Sequence, residues 1–243
     1  MTPRAILITG ANGGIGAATA RLFLARDESC HVYLGVRSGK ETAETIAAEF
    51  PGRCGILTLD VTRAEDWENA LAKIAEEGKV ITVLVNNAGH HDDHLLATMP
   101  AESWSGVIDS NLNSAFLGCQ AVLRGMMGER FGRIVNVSSL SALLAPLGQT
   151  NYAAAKAGLL AMTQSLAKEV ARMGITVNAV CPGYIGTDAL GAMDEAAAKE
   201  RKKAIPMRRF GHPDEVAAAI FFLASQDSAY ITGATLKIDG GIL

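Results

Sequence analysis

The sequence predicts an α/β fold: a doubly wound parallel sheet with helices on both faces. Short runs of β-branched and apolar residues alternate along the 243 residues with longer amphipathic stretches, a pattern typical of successive strand–helix–strand units. Because such units cross over with one hand, they place helices on both faces of the sheet and a ligand crevice at the carboxyl ends of the strands. The chain contains neither a linker-like stretch nor a repeat, so residues 1–243 are expected to form one domain.

The alternating pattern predicts the strands and helices individually. The strands are expected at Ala5–Thr9, His31–Val36, Gly55–Leu59, Ile81–Val85, Arg133–Val137, Thr176–Val180 and Thr235–Ile238. The helices are expected at Ile15–Arg26, Glu41–Glu49, Ala64–Glu77, Glu102–Met127, Tyr152–Met173 and Pro213–Ala224. Short apolar strands of this kind indicate a sheet that is covered on both faces.

Composition and charge exclude several classes of protein. The net charge is −3, so no basic field favours nucleic acid or an anionic membrane. The four cysteines, at positions 30, 54, 119 and 181, are far apart, which predicts buried thiols rather than a disulfide framework or a zinc site. No uncharged apolar run reaches the roughly 18 residues of a membrane span, and the first strand begins too early for a signal peptide. A cytoplasmic location is the expectation.

The turn after the first strand has the glycine spacing of a phosphate-binding loop. Gly10, Gly14 and Gly16 form a GxxxGxG pattern between a strand and a helix. Such a turn brings backbone amides and the helix N-terminus against a pyrophosphate. A flexible turn without a ligand would show the same spacing, but the strand–turn–helix context favours a dinucleotide. The binding residues expected in this turn are Gly10, Asn12, Gly13, Gly14, Ile15 and Gly16.

The ends of the second and third strands bear on the choice of cofactor. An acidic residue after the second strand would bind a ribose 2′-hydroxyl, whereas arginine suits a 2′-phosphate. Arg37 and Ser38 follow this strand without a carboxylate, which favours NADP(H) over NAD(H); a solvated surface arginine is the alternative. Asp60 and Val61 follow the third strand, where the carboxylate could accept a hydrogen bond from an adenine amino group or serve only as a turn residue.

Tyr152 and Lys156 are spaced to share one face of a predicted helix, which brings phenol and ammonium close together. Tyrosine is a poor base at neutral pH because its pKa is about 10, and a neighbouring ammonium lowers that pKa. Tyr152 is therefore the candidate proton donor and acceptor for a substrate oxygen. The same spacing occurs by chance on ordinary amphipathic helices, so other residues must support it.

Polar residues after two other strands, and one within a helix, supply that support. The pair Ser138-Ser139 follows the fifth strand, where a hydroxyl could hydrogen-bond the reacting carbonyl or simply cap the strand. The run Asn86-Asn87-Ala88-Gly89 follows the fourth strand and suits backbone contact with a cofactor or an ordinary turn. Asn111 falls inside a predicted helix, where asparagine is disfavoured. It could bend the helix, hold a water or be a buried structural residue.

Together these residues resemble the short-chain dehydrogenase/reductase family over essentially the whole chain. The match comprises TGANGGIG at 9–16, Asp60, NNAG at 86–89, Asn111, Ser139, YxxxK at 152–156, Pro182-Gly183 and Asp239-Gly240-Gly241. The joint occurrence of these motifs in this order is highly specific. The resemblance implies an extended Rossmann domain with a seven-stranded parallel sheet.

The resemblance also implies roles for individual residues. Tyr152 is implied as the acid/base, Lys156 as a ligand of the nicotinamide ribose, and Asn111 as the holder of a proton-relay water. Ser139 is implied to polarise the carbonyl, because the family usually has a serine thirteen residues before the tyrosine. The segment implied to contact the nicotinamide comprises Pro182, Gly183, Ile185 and Thr187.

Within the family, the chain is most similar to the 3-oxoacyl-acyl-carrier-protein reductases. The stretches Asp93–Leu96, Glu129–Val135 and Gly174–Asn178 carry this similarity. It implies NADPH-dependent reduction of a 3-oxoacyl thioester to the 3-hydroxyacyl product in fatty acid biosynthesis, with acyl carrier protein as a partner. Arg130 and Arg172 are the candidate carrier contacts, and solvated surface arginines are the alternative.

Two departures from the family pattern bear on these expectations. Many NADPH-dependent relatives have a basic residue in place of Gly13, which leaves Arg37 as the main candidate for a phosphate ligand. The loop Gly89–His94 contains three histidines and two aspartates, whereas relatives have fewer histidines and an arginine in place of Asp92. A metal site or a polar rim of the active site would explain this loop; we expect the rim and no metal.

Other functions are also compatible with the sequence. The enzyme could act on another small ketone or alcohol, such as an acyl-CoA, a sugar or a free alcohol; a non-catalytic dinucleotide sensor is a remote alternative. The apolar residues that suit an acyl chain, or ordinary packing, are Leu143, Leu144, Leu147 and Met193. The resemblance implies a homotetramer formed through the long helices and the C-terminal strand region.

Overall fold

A parallel sheet forms the centre of the molecule in a computed structural model that describes residues 4–187 and 194–243. The strands are β1 Ala5–Thr9, β2 His31–Val36, β3 Cys54–Thr58, β4 Ile81–Asn86, β5 Gly132–Val137, β6 Ile175–Pro182 and β7 Thr235–Ile238. Their order in space is β3-β2-β1-β4-β5-β6-β7, and every neighbouring pair is parallel. The predicted doubly wound α/β fold is confirmed, and the observed strand bounds are close to the predicted ones.

The helices cover both faces of this sheet. Their bounds are α1 Gly14–Arg26, α2 Glu41–Glu49, α3 Ala64–Glu76, α4 Ala101–Ile108, α5 Ser114–Glu129, α6 Ser141–Leu144, α7 Thr150–Val170, α8 Glu195–Ala204 and α9 Pro213–Leu223. The predicted helical stretch Glu102–Met127 is confirmed, and a π-helical turn at Asp109–Asn113 joins α4 to α5 within it. The predicted helices did not include α6 or α8.

Two apolar layers hold the helices on the sheet. Successive residues of β1 point to opposite faces, so Ile6 and Ile8 belong to one layer and Leu7 to the other. Phe23 of α1 packs in the first layer and Trp67 of α3 in the second, and all five side chains are buried. Each such side chain stabilises the fold by about 1.5–3 kcal/mol. Burial of both faces explains why the strands show no polar alternation.

The chain changes direction across the sheet between β1 and β4. β1 pairs with β2 on one side and with β4 on the other, so the loops that follow β1 and β4 diverge and leave a crevice at the carboxyl edge. Cys30, Cys119 and Cys181 are buried as predicted, whereas Cys54 is half-buried. Within residues 4–187 and 194–243, no helix is both long and apolar enough to cross a membrane.

Candidate active site

The glycine turn after β1 is tied to the loop after β4 by side-chain hydrogen bonds. The Thr9 hydroxyl accepts hydrogen bonds from the backbone amides of Asn87 and Ala88, both at 3.0 Å. The side-chain amide of Asn87 donates to the carbonyl oxygens of Thr9, at 3.0 Å, and Gly10, at 3.1 Å. The two loops that flank the crevice therefore form one hydrogen-bonded unit. Sequence reasoning did not predict the role of Thr9 in this unit.

The shape of the turn fits a bound pyrophosphate. Gly10 has a φ of +63°, and a Cβ there would lie 2.9 Å from the Cα of Ala88. A Cβ on Gly16 would run into the carbonyl oxygen of Gly10. Helix α1 begins at Gly14 without a side-chain cap, so its first amides are available to an anion. Gly13 differs, because the nearest atom to a Cβ there would be 3.5 Å away, and a side chain could be accommodated.

A cavity of about 500 Å³ opens beside this turn. It is bordered by the ends of β1, β2, β3 and β4, and the Asn12 side chain donates to the carbonyl oxygen of Ser38 at 3.1 Å across it. The structure thus brings together most of the residues predicted to bind the cofactor. Those that line this cavity are Gly10, Asn12, Gly13, Gly14, Ile15, Arg37, Ser38, Asp60, Val61, Asn87, Ala88, Gly89 and Thr187. Gly16 lies behind them in α1.

Arg37 and Asp60 stand at the outer end of this cavity. Asp60 accepts hydrogen bonds from the backbone amide of Thr62, at 3.0 Å, and its hydroxyl, at 2.7 Å. The Thr62 hydroxyl and, to a smaller extent, the Arg37 charge lower the pKa of the Asp60 carboxyl. Asp60 is therefore a turn residue that also lines the cavity. Arg37 is exposed, and its guanidinium donates no hydrogen bond to any residue that the structure describes.

A second cavity of about 300 Å³ continues from the first at the ends of β5 and β6. Ile15, Asn87, Gly89 and Thr187 border both cavities. The predicted catalytic and nicotinamide-contact residues that line the second cavity are Asn111, Ser139, Tyr152, Lys156, Pro182, Gly183, Ile185 and Thr187. A Cβ on Gly14 would lie 2.8 Å from Thr187, so the glycine turn packs directly against the segment after β6. Tyr184 also lines this cavity, although sequence reasoning passed over it.

Tyr152 and Lys156 lie on one face of α7, but the predicted electrostatic effect is not observed. The Lys156 ammonium donates to the carbonyl oxygen of Val137 at 2.8 Å and is 5.6 Å from the centroid of the Tyr152 ring. Burial lowers the pKa of Lys156 to about 8. Burial also raises the pKa of Tyr152, an effect that the Ser139 hydroxyl opposes and the Asp93 carboxylate strengthens. The prediction of a lowered tyrosine pKa was wrong, because burial outweighs the other influences on the phenol.

Asn151 fixes the start of the helix that carries Tyr152. This buried side chain donates to the carbonyl oxygens of Asp92, at 2.9 Å, and Ser103, at 3.3 Å, and accepts from the Tyr152 amide at 2.8 Å. It therefore links α7 to the histidine-rich loop and to α4. Sequence reasoning missed Asn151, and its only signal was an asparagine directly before the candidate tyrosine.

The two serines after β5 have different partners. The buried Ser138 hydroxyl donates to the carbonyl oxygen of Lys156 at 3.0 Å, which commits its only proton. The Ser139 oxygen accepts from the Ser141 amide at 3.1 Å, which leaves the Ser139 proton available to a ligand beside Tyr152. The geometry therefore favours Ser139 over Ser138 as the donor to a carbonyl.

Asn111 occupies the middle of the π-helical turn between α4 and α5. Its side-chain nitrogen donates to the carbonyl oxygens of His90, at 2.7 Å, and Val107, at 2.9 Å. Its buried oxygen has no partner among the described residues, and a Cβ on Gly89 would collide with this oxygen. The residue distorts the helix and also presents an unpaired acceptor beside the second cavity, a position that suits a water.

The histidine-rich loop forms two side-chain pairs at the rim of the second cavity. His91 lies 3.1 Å from Asp93, and His94 lies 3.1 Å from Asp92. Only His91 also lines the cavity, where its ring meets the Tyr152 ring at a centroid distance of 5.9 Å. Within the described residues, no three His, Cys, Asp or Glu side chains form a metal-binding group.

Arg130 and Arg172 lie at the amino ends of the strands, opposite the cavities. Arg130 follows α5 with a φ of +50°, just before the start of β5. Arg172 lies just before β6, and a Cβ on Gly174 would run into the carbonyl oxygen of Arg130. The structure thus brings the two segments together on an exposed surface. It also separates them from the second cavity by the length of the strands.

The fold and the two continuous cavities define a doubly wound protein of the dinucleotide-binding class. The model of the family described as "Enoyl-(Acyl carrier protein) reductase" matches residues 10–243. The chain is 44% identical over 237 residues to the 3-oxoacyl-(acyl-carrier-protein) reductase FabG of Vibrio harveyi, which covers 97% of this chain and 96% of the relative. The corresponding protein of Escherichia coli (strain K12) is 42% identical over 236 residues, with 97% and 96% covered. That of Thermotoga maritima is 43% identical over 240 residues, with 98% and 96% covered. The chain belongs to the short-chain dehydrogenase/reductase family.

Proposed function

We propose that the protein reduces the ketone of a 3-oxoacyl thioester to a hydroxyl with a nicotinamide dinucleotide, and that it prefers NADPH. The observation that carries the proposal is the convergence of the Ser139 and Tyr152 hydroxyls in a cavity that continues from the glycine turn. The names of the relatives, all 3-oxoacyl-carrier reductases, support the class of substrate.

Two hydroxyl groups of the chain would act on the substrate oxygen. When bound, the reduced nicotinamide supplies a hydride to the carbonyl carbon. Ser139 and Tyr152 donate hydrogen bonds to the carbonyl oxygen and stabilise its developing negative charge. Tyr152 then transfers its proton to that oxygen, which completes the hydroxyl. Because burial raises the pKa of Tyr152, the phenol keeps the proton that reduction requires at neutral pH.

Lys156 and Asn111 would orient the dinucleotide and restore the proton of Tyr152. The Lys156 ammonium has two further protons beside the one that it donates to Val137, and these suit ribose hydroxyls. The unpaired oxygen of Asn111 suits a water that passes a proton inward from solvent. We assign the other predicted cofactor residues that line the two cavities to dinucleotide binding.

Reduction of a carbon–carbon double bond is the second candidate, because the matched family is described as an enoyl reductase. The test is NADPH consumption with a short 3-oxoacyl thioester and, in parallel, with the 2-enoyl thioester of the same length. Consumption with the 3-oxoacyl compound supports the proposal, and its product should be the 3-hydroxyacyl thioester. Consumption with the enoyl compound alone, or with neither, would overturn it.

The preference for NADPH is expected to depend on Arg37. Arg37→Ala should raise the KM for NADPH about 10- to 100-fold and leave that for NADH nearly unchanged, because a charge-assisted hydrogen bond contributes about 1.5–3 kcal/mol. Steady-state kinetics with both cofactors measure this ratio. Arg124→Ala, which removes an exposed arginine from α5, is the control. An unchanged NADPH-to-NADH ratio in Arg37→Ala would contradict the assignment.

The carrier protein and the oligomer are further parts of the proposal. Arg130 and Arg172 offer two positive charges to an acidic carrier, on a surface remote from the cavities of the same chain. For a homotetramer, the support lies in large apolar side chains exposed on the helices and the edge strand. Trp104, Phe116 and Leu236 on α4, α5 and β7 are each about 40–50% exposed, and burial of such residues between subunits would stabilise an assembly.

A further inference from the structure

His91 lies at the mouth of the second cavity and has no part in the chemistry proposed so far. It lines the same cavity as Ser139 and Tyr152. Its ring meets the Tyr152 ring edge-on, with a centroid distance of 5.9 Å and an interplanar angle of 67°. The imidazole therefore borders the space that a ketone would occupy beside Tyr152.

A chain of hydrogen bonds holds the His91 ring in this position. Its Nδ1 is 3.1 Å from one carboxylate oxygen of Asp93, and the other oxygen accepts from the Gln149 side chain at 2.9 Å. Gln149 in turn accepts from the Ser141 hydroxyl at 2.8 Å. Gln149 immediately precedes α7, and Ser141 follows Ser139 by two residues. These hydrogen bonds fix the position of the ring relative to both segments that carry the proposed hydroxyl donors.

This arrangement determines what the ring offers to a ligand. A nitrogen 3.1 Å from a carboxylate oxygen must carry the proton, so Nδ1–H donates to Asp93. Nε2 has no partner among the described residues. It is an acceptor in the neutral ring and a charged N–H donor in the imidazolium form.

We propose that His91 is a positioning residue whose Nε2–H, in the imidazolium form, donates to the thioester carbonyl of the substrate. The inference rests on the proposed function, because a 3-oxoacyl thioester has a second carbonyl two bonds along the chain from the ketone carbon. Ser139 and Tyr152 are both committed to the ketone oxygen. The second carbonyl needs its own donor, and His91 lies at the edge of Tyr152 where that carbonyl would emerge. Tyr184, the other aromatic residue of the cavity, packs instead against Phe210.

The proposal predicts a pH dependence that is specific to thioester substrates. The His91 ring contacts Asp93 on its own loop and Tyr152 on α7. The charged groups next to these are His90 and Asp92, which flank His91 in the chain, and Lys156 beside Tyr152. Neutralisation of the imidazolium turns the Nε2 donor into an acceptor that faces a carbonyl. For thioesters, kcat/KM should therefore fall as the pH rises and the imidazolium is neutralised. A ketone without the second carbonyl should not show this fall.

The experiment compares acetoacetyl-N-acetylcysteamine, a 3-oxoacyl thioester, with cyclohexanone, which has only one carbonyl. His91→Phe should lower kcat/KM for the thioester about 10- to 100-fold, mainly through KM, and change that for cyclohexanone less than about twofold. His91→Gln supplies an uncharged N–H donor, so it should recover part of the loss and abolish the pH dependence. His94→Phe is the matched control, because it removes the other histidine–aspartate pair of the loop and should leave both substrates unaffected.

Each outcome decides between the proposals. Loss confined to the thioester, with partial recovery in His91→Gln, supports the role of His91. Equal losses on both substrates, or no loss on either, overturn that role and leave the proposed function intact, provided that the wild-type protein reduces the thioester. Failure of the wild-type protein to reduce the thioester overturns both. His91 is a rim residue with a side chain 60% exposed, so these variants should fold, and unchanged NADPH binding by fluorescence titration checks this.

Discussion

Tyr152→Phe is expected to reduce kcat at least about 1,000-fold and to leave dinucleotide affinity unchanged. The substitution removes one oxygen and keeps the ring that packs against His91, so the cavity retains its shape. In the proposed reaction, the lost oxygen is both the proton source and one of two donors to the developing oxyanion. General acid catalysis contributes about 10²–10⁴ in rate, and an oxyanion donor about 10²–10³. We expect about 1,000-fold, less than the product of the two contributions, because both come from one group and do not simply multiply.

The measurement combines single-turnover NADPH oxidation with a fluorescence titration of NADPH binding. Tyr230→Phe, at a fully exposed tyrosine, is the matched control and should behave as wild type. A Tyr152→Phe protein that retains a tenth of wild-type turnover would show that another group supplies the proton. A large loss of NADPH affinity would instead place the phenol oxygen among the cofactor ligands.

Lys156→Met is expected to abolish most activity and, at neutral pH, to make the protein more stable. Burial lowers the pKa of Lys156 from 10.5 to about 8, so folding disfavours the charged ammonium. Between these two values the unfolded chain binds more protons than the folded one, and wild-type stability therefore rises with pH across that interval. Below pH 8 the buried ammonium lowers the free energy of unfolding by the full amount, about 3 kcal/mol. Loss of the hydrogen bond to Val137 opposes the gain by about 1 kcal/mol.

Urea unfolding of both proteins at pH 7 and pH 10 tests this balance. The Met variant should be more stable by about 2 kcal/mol at pH 7, and the difference should shrink or reverse at pH 10. Its turnover should fall at least about 100-fold, because the ribose would lose the cationic ligand that we propose for it. Lys168→Met, at an exposed lysine of the same helix, controls for the general effect of the substitution. A Met variant that is less stable at pH 7 would contradict the sign of the lysine shift.

Local patterns were enough to predict the sheet and the glycine turn, and the resemblance to the family added the remaining residues around the crevice. The runs at Ala5–Thr9 and His31–Val36 are apolar on both faces, and a parallel sheet is the arrangement that buries both. The turn from Gly10 to Gly16 depends on backbone shape, which glycine positions reveal directly. The NNAG and YxxxK motifs follow strands or open helices, so topology alone brings them to one edge.

Features that depend on side-chain environment or lack an apolar stripe could not be predicted in this way. Helix α8 has no buried residue and begins at an Asp194 cap, so apolar periodicity does not reveal it. The roles of Thr9 and Asn151 arise from contacts between segments that are distant in sequence. The rise in the pKa of Tyr152 depends on how deeply the phenol is buried, which spacing along a helix does not report. Met193, expected near an acyl chain, lies outside the described residues.

The change of direction between β1 and β4 also divides the enzyme into two parts that natural selection can alter separately. Arg37 and Asp60, which line the first cavity, follow β2 and β3. Ser139 and Tyr152 come after β5, on the other side of the crevice. A mutation that exchanges one nicotinamide cofactor for another therefore need not disturb the hydroxyl donors, and a new substrate can be adopted without a new cofactor. Chimaeras joined in the segment between α3 and β4 would combine the cofactor preference of one parent with the substrate range of the other.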